Sequence, residues 1–159
     1  MIDVEIKNEQ GKFNFRVCGI IKRGDKFLIQ KIEGNNFYCL PGGHVELGED
    51  TLSAVRREMK EEVSITTKNE NLFAIVENFF EDKTAKIFHE LGFYYIVEAE
   101  EELPLTDYSV DENDKGTMKH LEFKWVTKEE LQNEDFRPLA IKDLLLSSPS
   151  TPQHIIFRQ

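Results

Sequence analysis

The stretch from Gly43 to Ile65 constrains this chain more than any other. It reads Gly-His-Val-Glu-Leu-Gly-Glu-Asp-Thr-Leu-Ser-Ala-Val-Arg-Arg-Glu-Met-Lys-Glu-Glu-Val-Ser-Ile. In its second half Glu58, Glu61 and Glu62 recur at i, i+3 and i+4. On a helix turning about 100° per residue, that spacing puts three carboxylates on one side. Leu52, Val55, Met59 and Val63 form a separate apolar stripe, so the helix is expected to dock on a core while the acids stay in water. Neighbouring carboxylates repel unless positive charge sits among them, and hard divalent cations, which take oxygen ligands, meet that need. Just upstream, Pro41-Gly42-Gly43 makes a turn where backbone can approach a ligand or metal with no Cβ in the way. A solvated helix face held by i, i+4 pairs would account for Arg57 and Glu61. It would not account for the Pro-Gly-Gly turn or for Arg57-Glu58 directly before an acidic pair.

These residues resemble the signature of the Nudix hydrolases, G-x5-E-x7-R-E-U-x-E-E-x-G-U, where U is apolar. Gly43, Glu49, Arg57, Glu58, Met59, Glu61, Glu62 and Ile65 fall on the pattern. Ser64 stands where the family has Gly. A left-handed residue past a helix end suits Gly, so Ser64 is expected to strain that turn by about 1 kcal/mol or less and to leave the carboxylates untouched.

The resemblance implies an α/β (α+β) fold, a Nudix-type α/β/α sandwich with a mixed sheet and the signature as a loop-helix-loop at its rim. It also implies Mg²⁺, with Mn²⁺ as a substitute. Glu58 and Glu62 would be the firmest ligands, Glu61 a ligand or a base acting through water, and the Gly42 carbonyl a further donor. Arg57 and Glu49 would pair with each other and orient the helix. A later carboxylate is the other candidate for general base: Glu122, just upstream of Trp125-Val126, with Glu112 and Asp114 as alternatives.

The implied activity is cleavage, by water attack on phosphorus, of the pyrophosphate linkage in a nucleoside triphosphate or a nucleoside diphosphate linked to another moiety. The alternative is a Nudix-like domain that binds nucleotides as a sensor without turnover. Such domains tend to lose signature carboxylates, whereas all three are kept here. In some Nudix groups a Pro after the signature accompanies ADP-ribose cleavage, and a Tyr in a similar place accompanies dinucleoside polyphosphates. No Pro occurs between Ile65 and Pro104 and the first Tyr is Tyr94, so neither substrate gains support. An isomerase of isoprenoid diphosphates lacks a supporting cysteine-glutamate pair.

Composition sets the outer limits. The 159 residues suit a single domain, 1–159, with a core of its own. A formal charge of −10 argues against gripping a nucleic-acid duplex. It also means that an enzyme of anionic phosphates must supply positive charge locally, as bound cations would. No apolar run is long enough to span a bilayer, and Met1-Ile2-Asp3-Val4-Glu5 lacks the features of a signal peptide. Cys18 and Cys39 are not in a C-x-x-C pair, so they read as buried free thiols of a reducing, cytoplasmic compartment. A homodimer is compatible with all of this.

Phe13 to Arg23 and Lys26 to Ile32 read as a hairpin about Gly24-Asp25. Gly34-Asn35-Asn36 is a turn and Phe37 to Leu40 a short strand. Asp50 or Thr51 starts the central helix. Leu72 to Phe80 and Ile87 to Ala99 are strands about a polar turn, Glu81-Asp82-Lys83-Thr84. Glu100 to Glu102 and Asp107 to Lys119 are expected to be loops, the longer one covering the site. Glu122 to Val126 is a strand. Thr127 to Glu130 has capping-box spacing, and Pro138 to Leu146 is a last helix with Pro138 in its first turn. The end of the chain, 146–159, with Pro149 and Pro152, is expected to be irregular. His89, Glu77 and Glu90 are weaker candidates for a substrate groove, and Lys22, Arg23 and Lys31 for phosphate contact. His89-Glu90 lacks the second His of H-E-x-x-H, which excludes a zinc-protease motif.

Overall fold

Nine strands and three helices make up the described part of the chain, residues 1–81 and 86–159 of the computed structural model. In chain order these are β1 (Glu5–Lys7), β2 (Gly11–Arg23), β3 (Lys26–Ile32), β4 (Gly42–His44), α1 (Thr51–Glu62), β5 (Thr67–Glu81), β6 (Ile87–Ala99), β7 (Tyr108–Asp114), β8 (Thr117–Val126), α2 (Lys128–Asn133), α3 (Leu139–Ser147) and β9 (Gln153–Arg158). The sheet runs β7-β8-β3-β2-β6-β5-β9, with β1 and β4 also paired to β2. The β2–β6 and β5–β9 pairs are parallel and the other strand pairs antiparallel, so the sheet is mixed. One core cluster packs α1 against one face through Val55, Met59, Val63, Val17, Leu28 and Phe123. The other packs α2 and α3 through Leu131, Ile141, Leu145, Ile20, Ile29 and Val76. The expected sandwich is therefore present.

The site depends on how β2 divides its partners. Near its end it pairs with β3 through Lys22↔Phe27 and Arg23↔Lys26, after which β3 continues against β8. Earlier in β2, Arg16, Val17 and Cys18 pair instead with His44, Gly43 and Gly42 of β4. The Pro-Gly-Gly segment thus enters the sheet beside the opening, and α1 follows it across the face.

Several expectations need correction. Asp107 to Lys119 is not a loop: β7 and β8 form an antiparallel hairpin, Tyr108↔Phe123 through Asp114↔Thr117. Its turn, Lys115-Gly116, has φ of 50° and 88°, the doubly left-handed conformation that two-residue hairpins favour. The acidic content of Asp111 to Asp114 masked a period-two alternation in which Tyr108, Val110, Glu112 and Asp114 are half-buried and the residues between them exposed. The end of the chain is not irregular either, because β9 lies parallel to β5, Ala74↔Gln153 through Phe79↔Arg158. Phe37 to Leu40 contributes two isolated bridges, Gln30↔Cys39 and Tyr38↔Phe136, rather than a strand. Of the expected polar turn, Glu81 ends β5, while Asp82, Lys83 and Thr84 lie outside the described residues.

Other expectations agree with the structure. Asp50 caps α1, accepting from the N–H groups of Leu52 and Ser53 at 3.0 and 2.9 Å. Thr127 and Glu130 form the capping box of α2. Ser64 has φ 61°, and Ile65 N–H donates back to the Met59 carbonyl at 3.2 Å, closing the helix end through a left-handed residue. Pro138 is the N-cap of α3 rather than a residue of its first turn. Cys18 and Cys39 are free, as expected, but only Cys18 is buried and Cys39 is half-buried.

Candidate active site

The carboxylates of α1 do not all stay wet. Glu58 and Glu62 are 8% and 6% exposed, whereas the Glu61 side chain is 51% exposed. The reason lies in the turn that precedes the helix. A Cβ on Gly43 would come within 2.4 Å of both Glu58 carboxylate oxygens, so the missing side chain makes the space in which that carboxylate sits. Gly42 has φ 151° and its N–H donates to Glu62 Oε2 at 2.7 Å. Gln30, fully buried on β3, donates from Nε2 to the same oxygen at 3.1 Å. Two strands and a turn therefore hold Glu62 below the surface.

Arg57 ties the acids together. Its Nε and Nη2 donate to both oxygens of Glu49 at 3.0 and 2.9 Å, and Nη2 also donates to the His44 carbonyl at 2.9 Å. Nη1 donates to Glu58 at 2.7 Å and to Glu61 at 3.1 Å. The bidentate pair with Glu49 is the strong geometry for a guanidinium, and Glu46 N–H adds a donor to Glu49 at 3.1 Å. The Arg57–Glu49 hydrogen bonds accordingly lower the Glu49 pKa and raise that of Arg57.

Burial dominates the electrostatics of the other two acids. Desolvation pushes Glu58 up to about 7, although Arg57 pulls the other way. Desolvation pushes Glu62 up to about 8 against the pull of the Gly42 N–H, and the charges of Glu112 and Glu58 add to the rise. Glu112, on β7 across the cleft, is itself raised by burial. The cleft between these elements has a volume of about 650 Å³ and is lined by Glu58, Glu61, Glu62, Gly42, Glu112 and Arg16 among others.

All the donors that converge here are oxygens: carboxylates of Glu58, Glu61 and Glu62 and the Gly42 carbonyl. That set suits a hard divalent cation and not a thiophilic one. Two buried acids pushed toward neutrality also fit a cation, since a bound charge would restore their ionised forms. Among the described residues, no three acidic, His or Cys side chains are already gathered around a common point for an ion. Glu58 and Glu61 turn to Arg57, and Glu62 to Gly42 and Gln30. The chemistry of the donors fits the group, and Glu58, Glu61 and Glu62 would have to exchange these partners to share a cation.

The NUDIX domain family model matches residues 12–144. The chain belongs to the Nudix family. A curated relative, "ADP-ribose pyrophosphatase" of Methanocaldococcus jannaschii, is 42% identical over 62 residues, which is 37% of this chain and 37% of the relative. "8-oxo-dGTP diphosphatase" of Haemophilus influenzae is 36% identical over 85 residues, 50% of this chain and 59% of the relative. The matched stretch thus spans less than two thirds of either protein. Among solved structures, a MutT Nudix hydrolase from Burkholderia pseudomallei superposes with TM-score 0.63 at 20% identity, covering 85% of this chain and 96% of that one. The MutT protein of Bacillus halodurans gives 0.59 at 23%, covering 83% and 79%. These two likenesses concern the fold.

Within the Nudix framework the structure brings Gly42, Glu49, Arg57, Glu58, Glu61 and Glu62 together, with Glu112 and Asp114 on the opposite wall. It does not bring Glu122 to them. Glu122 is exposed between Leu121 and Phe123, which are buried in the α1-side core. Strand alternation therefore turns Glu122 to the other face, where it lines a separate shallow cavity with Tyr38 and Lys124. Of the weaker candidates, Glu90 stands 3.9 Å from Arg16, which lines the cleft, and the others disperse. His89 stacks on Phe79 at 4.3 Å, and Glu77 pairs with His154 at 2.8 Å. Lys22 lies over Phe27 and Lys31 over Tyr38, while Arg23 holds the Leu103 and Pro104 carbonyls. Sequence reasoning passed over Gln30 and Arg16. Each is a polar residue inside an otherwise apolar strand run, and that interruption was the available signal.

Proposed function

We propose that this Nudix protein, as one domain over 1–159, hydrolyses a phosphoanhydride bond in a nucleoside triphosphate or a nucleoside diphosphate linked to another moiety. The observation that carries this reading is the pair of buried carboxylates, Glu58 and Glu62, set against a Gly-Gly turn on the Nudix pattern and pushed toward neutrality by desolvation. Glu58, Glu61, Glu62 and the Gly42 carbonyl would hold Mg²⁺, or Mn²⁺ in its place. When bound, such a cation neutralises charge on phosphoryl oxygens and makes water a better nucleophile. The protein's own groups do the rest. Gln30 and the Gly42 N–H orient Glu62, and Arg57, anchored on Glu49 and the His44 carbonyl, holds α1 against the turn.

Glu112 lines the same cleft as Glu62, and burial raises its pKa above the ordinary carboxylate value, which makes it a stronger proton acceptor. We assign it the role of general base: it takes a proton from water as the water oxygen bonds to phosphorus and the bridging P–O bond breaks. Glu61, the exposed member of the trio, is the second candidate for that role. The names of the two curated relatives, one an ADP-ribose pyrophosphatase and the other an 8-oxo-dGTP diphosphatase, support a nucleotide phosphoanhydride without choosing between them. The free cysteines support a reducing, cytoplasmic setting.

One observation favours the sensor alternative: Arg57 already occupies Glu58 and Glu61. A panel of nucleoside triphosphates and nucleotide-linked diphosphates, assayed for product with and without Mg²⁺, separates the readings. The hydrolase reading requires Mg²⁺-dependent turnover that drops about 10²–10³-fold in Glu62→Gln, the scale of losing a transition-state charge contact. Binding without turnover across the panel selects the sensor.

A further inference from the structure

Arg16 stands apart from the other side-chain cations of the cleft. Arg57 has every nitrogen engaged by Glu49, Glu58, Glu61 or the His44 carbonyl. Lys115 is paired with Asp3 and Lys119 with Asp114. His44 is engaged by Asn14 at 3.3 Å and stands 3.8 Å from Asp3. Arg16, by contrast, makes one hydrogen bond among the described residues, from Nη2 to the Gly42 carbonyl at 3.2 Å. Its nearest carboxylate, Glu90, stands 3.9 Å from Nη1, beyond hydrogen-bond length. Its Nε is buried and has no hydrogen-bond partner among the described residues. A buried donor without an acceptor is unfavourable, and guanidinium forks match phosphate oxygens two at a time.

The position of Arg16 gives this spare donor capacity a direction. β2 carries Arg16 opposite His44 of β4 and opposite Gly92 of β6, where no side chain projects from the neighbouring strand. Through Gly42 it touches the backbone of the turn that buries Glu62. Arg16 lines the same cleft as Glu58, Glu62 and Glu112. Beyond it on the same sheet face lie Asn14 and Glu90, which are register partners, and Asn14 accepts a contact from His44 at 3.3 Å.

We propose that Arg16 is the substrate-anchoring residue of this site, binding the phosphate of a nucleotide that is not the one attacked. Glu90 sets the strength of that grip, because its carboxylate competes with the phosphate for the same guanidinium. The proposal rests on the nucleotide reading of the site but not on turnover.

Isothermal titration of ADP in the presence of a chelator tests the anchor without the cation. Arg16→Gln weakens ADP binding by about tenfold to a hundredfold, the range for losing charge-assisted hydrogen bonds. Arg16→Lys restores part of the loss, and Glu90→Gln tightens binding. In steady-state assays with Mg²⁺, Arg16→Gln raises KM by a similar factor and leaves kcat within about threefold, as expected for an interaction equal in ground and transition states. Failure of the wild type to bind ADP in chelator, or equal binding by wild type and Arg16→Gln, overturns the proposal. So does a fall in kcat at constant KM, which would make Arg16 a support for Gly42 only. Should Arg16→Gln not fold, Glu90→Gln carries the test, and unchanged or weaker ADP binding there overturns it. If no substrate is turned over yet the ADP results hold, the hydrolase reading fails and the anchor stands.

Discussion

Glu112 and Glu122 are both glutamates of the β7–β8 hairpin, and what separates them is which way a strand points them. Glu112 is half-buried and lines the cleft, whereas Glu122 is exposed with its neighbours Leu121 and Phe123 in the core. A base must reach the water it deprotonates, so only the first is placed for the role. Glu112→Gln is expected to lower kcat by about 10²-fold or more, at the low end of the range for general-base loss. Glu122→Gln is expected to leave kcat and KM within about twofold. Steady-state kinetics on the two variants checks this. Equal losses would mean that neither strand face is decisive.

At the scale of an element, α1 is held at its start by Asp50 and in its middle by Arg57, but its end carries a residue poorly suited to its backbone. Ser64 sits at φ 61°, where a Cβ is disfavoured and Gly is not. Its N-terminal neighbour Val63 and C-terminal neighbour Ile65 are buried, so the turn cannot relax without moving core. Ser64→Gly is expected to stabilise the protein by up to about 1 kcal/mol, or about 2–4 °C in Tm for a chain of this size. Thermal unfolding monitored by circular dichroism reads it. A lower Tm would mean that Gly's extra freedom in the unfolded chain outweighs the relief. The two hairpin and tail corrections belong to this scale too. β7 has too few apolar residues to announce itself, and β9 follows two prolines, yet both pair fully because a long neighbour supplies the ladder.

For the whole molecule, the buried acids make stability depend on pH and on cations together. Glu58 and Glu62 titrate at about 7 and about 8 in the fold, against an ordinary 4.5. Below about 4.5 both native and unfolded states hold these protons and nothing is lost. Between about 4.5 and 8 the native state holds protons that the unfolded state has released, so stability falls as pH rises through this window. Above it the loss is complete. A divalent cation binding the ionised carboxylates acts in the opposite sense. Mg²⁺ is therefore expected to raise Tm more at about pH 8 than at about pH 6, and Glu62→Gln to remove most of that difference. Thermal scans at the two pH values, with and without Mg²⁺, decide it. A Mg²⁺ effect independent of pH would sever the link between the buried acids and the cation.

The local pattern of residues determined the helix and its cap, and the resemblance to the Nudix signature added the left-handed turn at Ser64, the Arg57–Glu49 pair and the sandwich. The first two depend on neighbours a few positions apart or on a period that a helix imposes on its own side chains. Tertiary structure decided how deep the acids lie, which wall carries Glu112 and that Arg16 lines the cleft. Those properties arise from the packing of β2, β3, β4, α1 and β7, which are far apart in the chain. The Gly43 backbone that makes room for Glu58, the Gln30 amide that holds Glu62 and the strand face that turns Glu122 away exist only once those elements meet, because burial and register are properties of the assembled sheet and not of any segment in it.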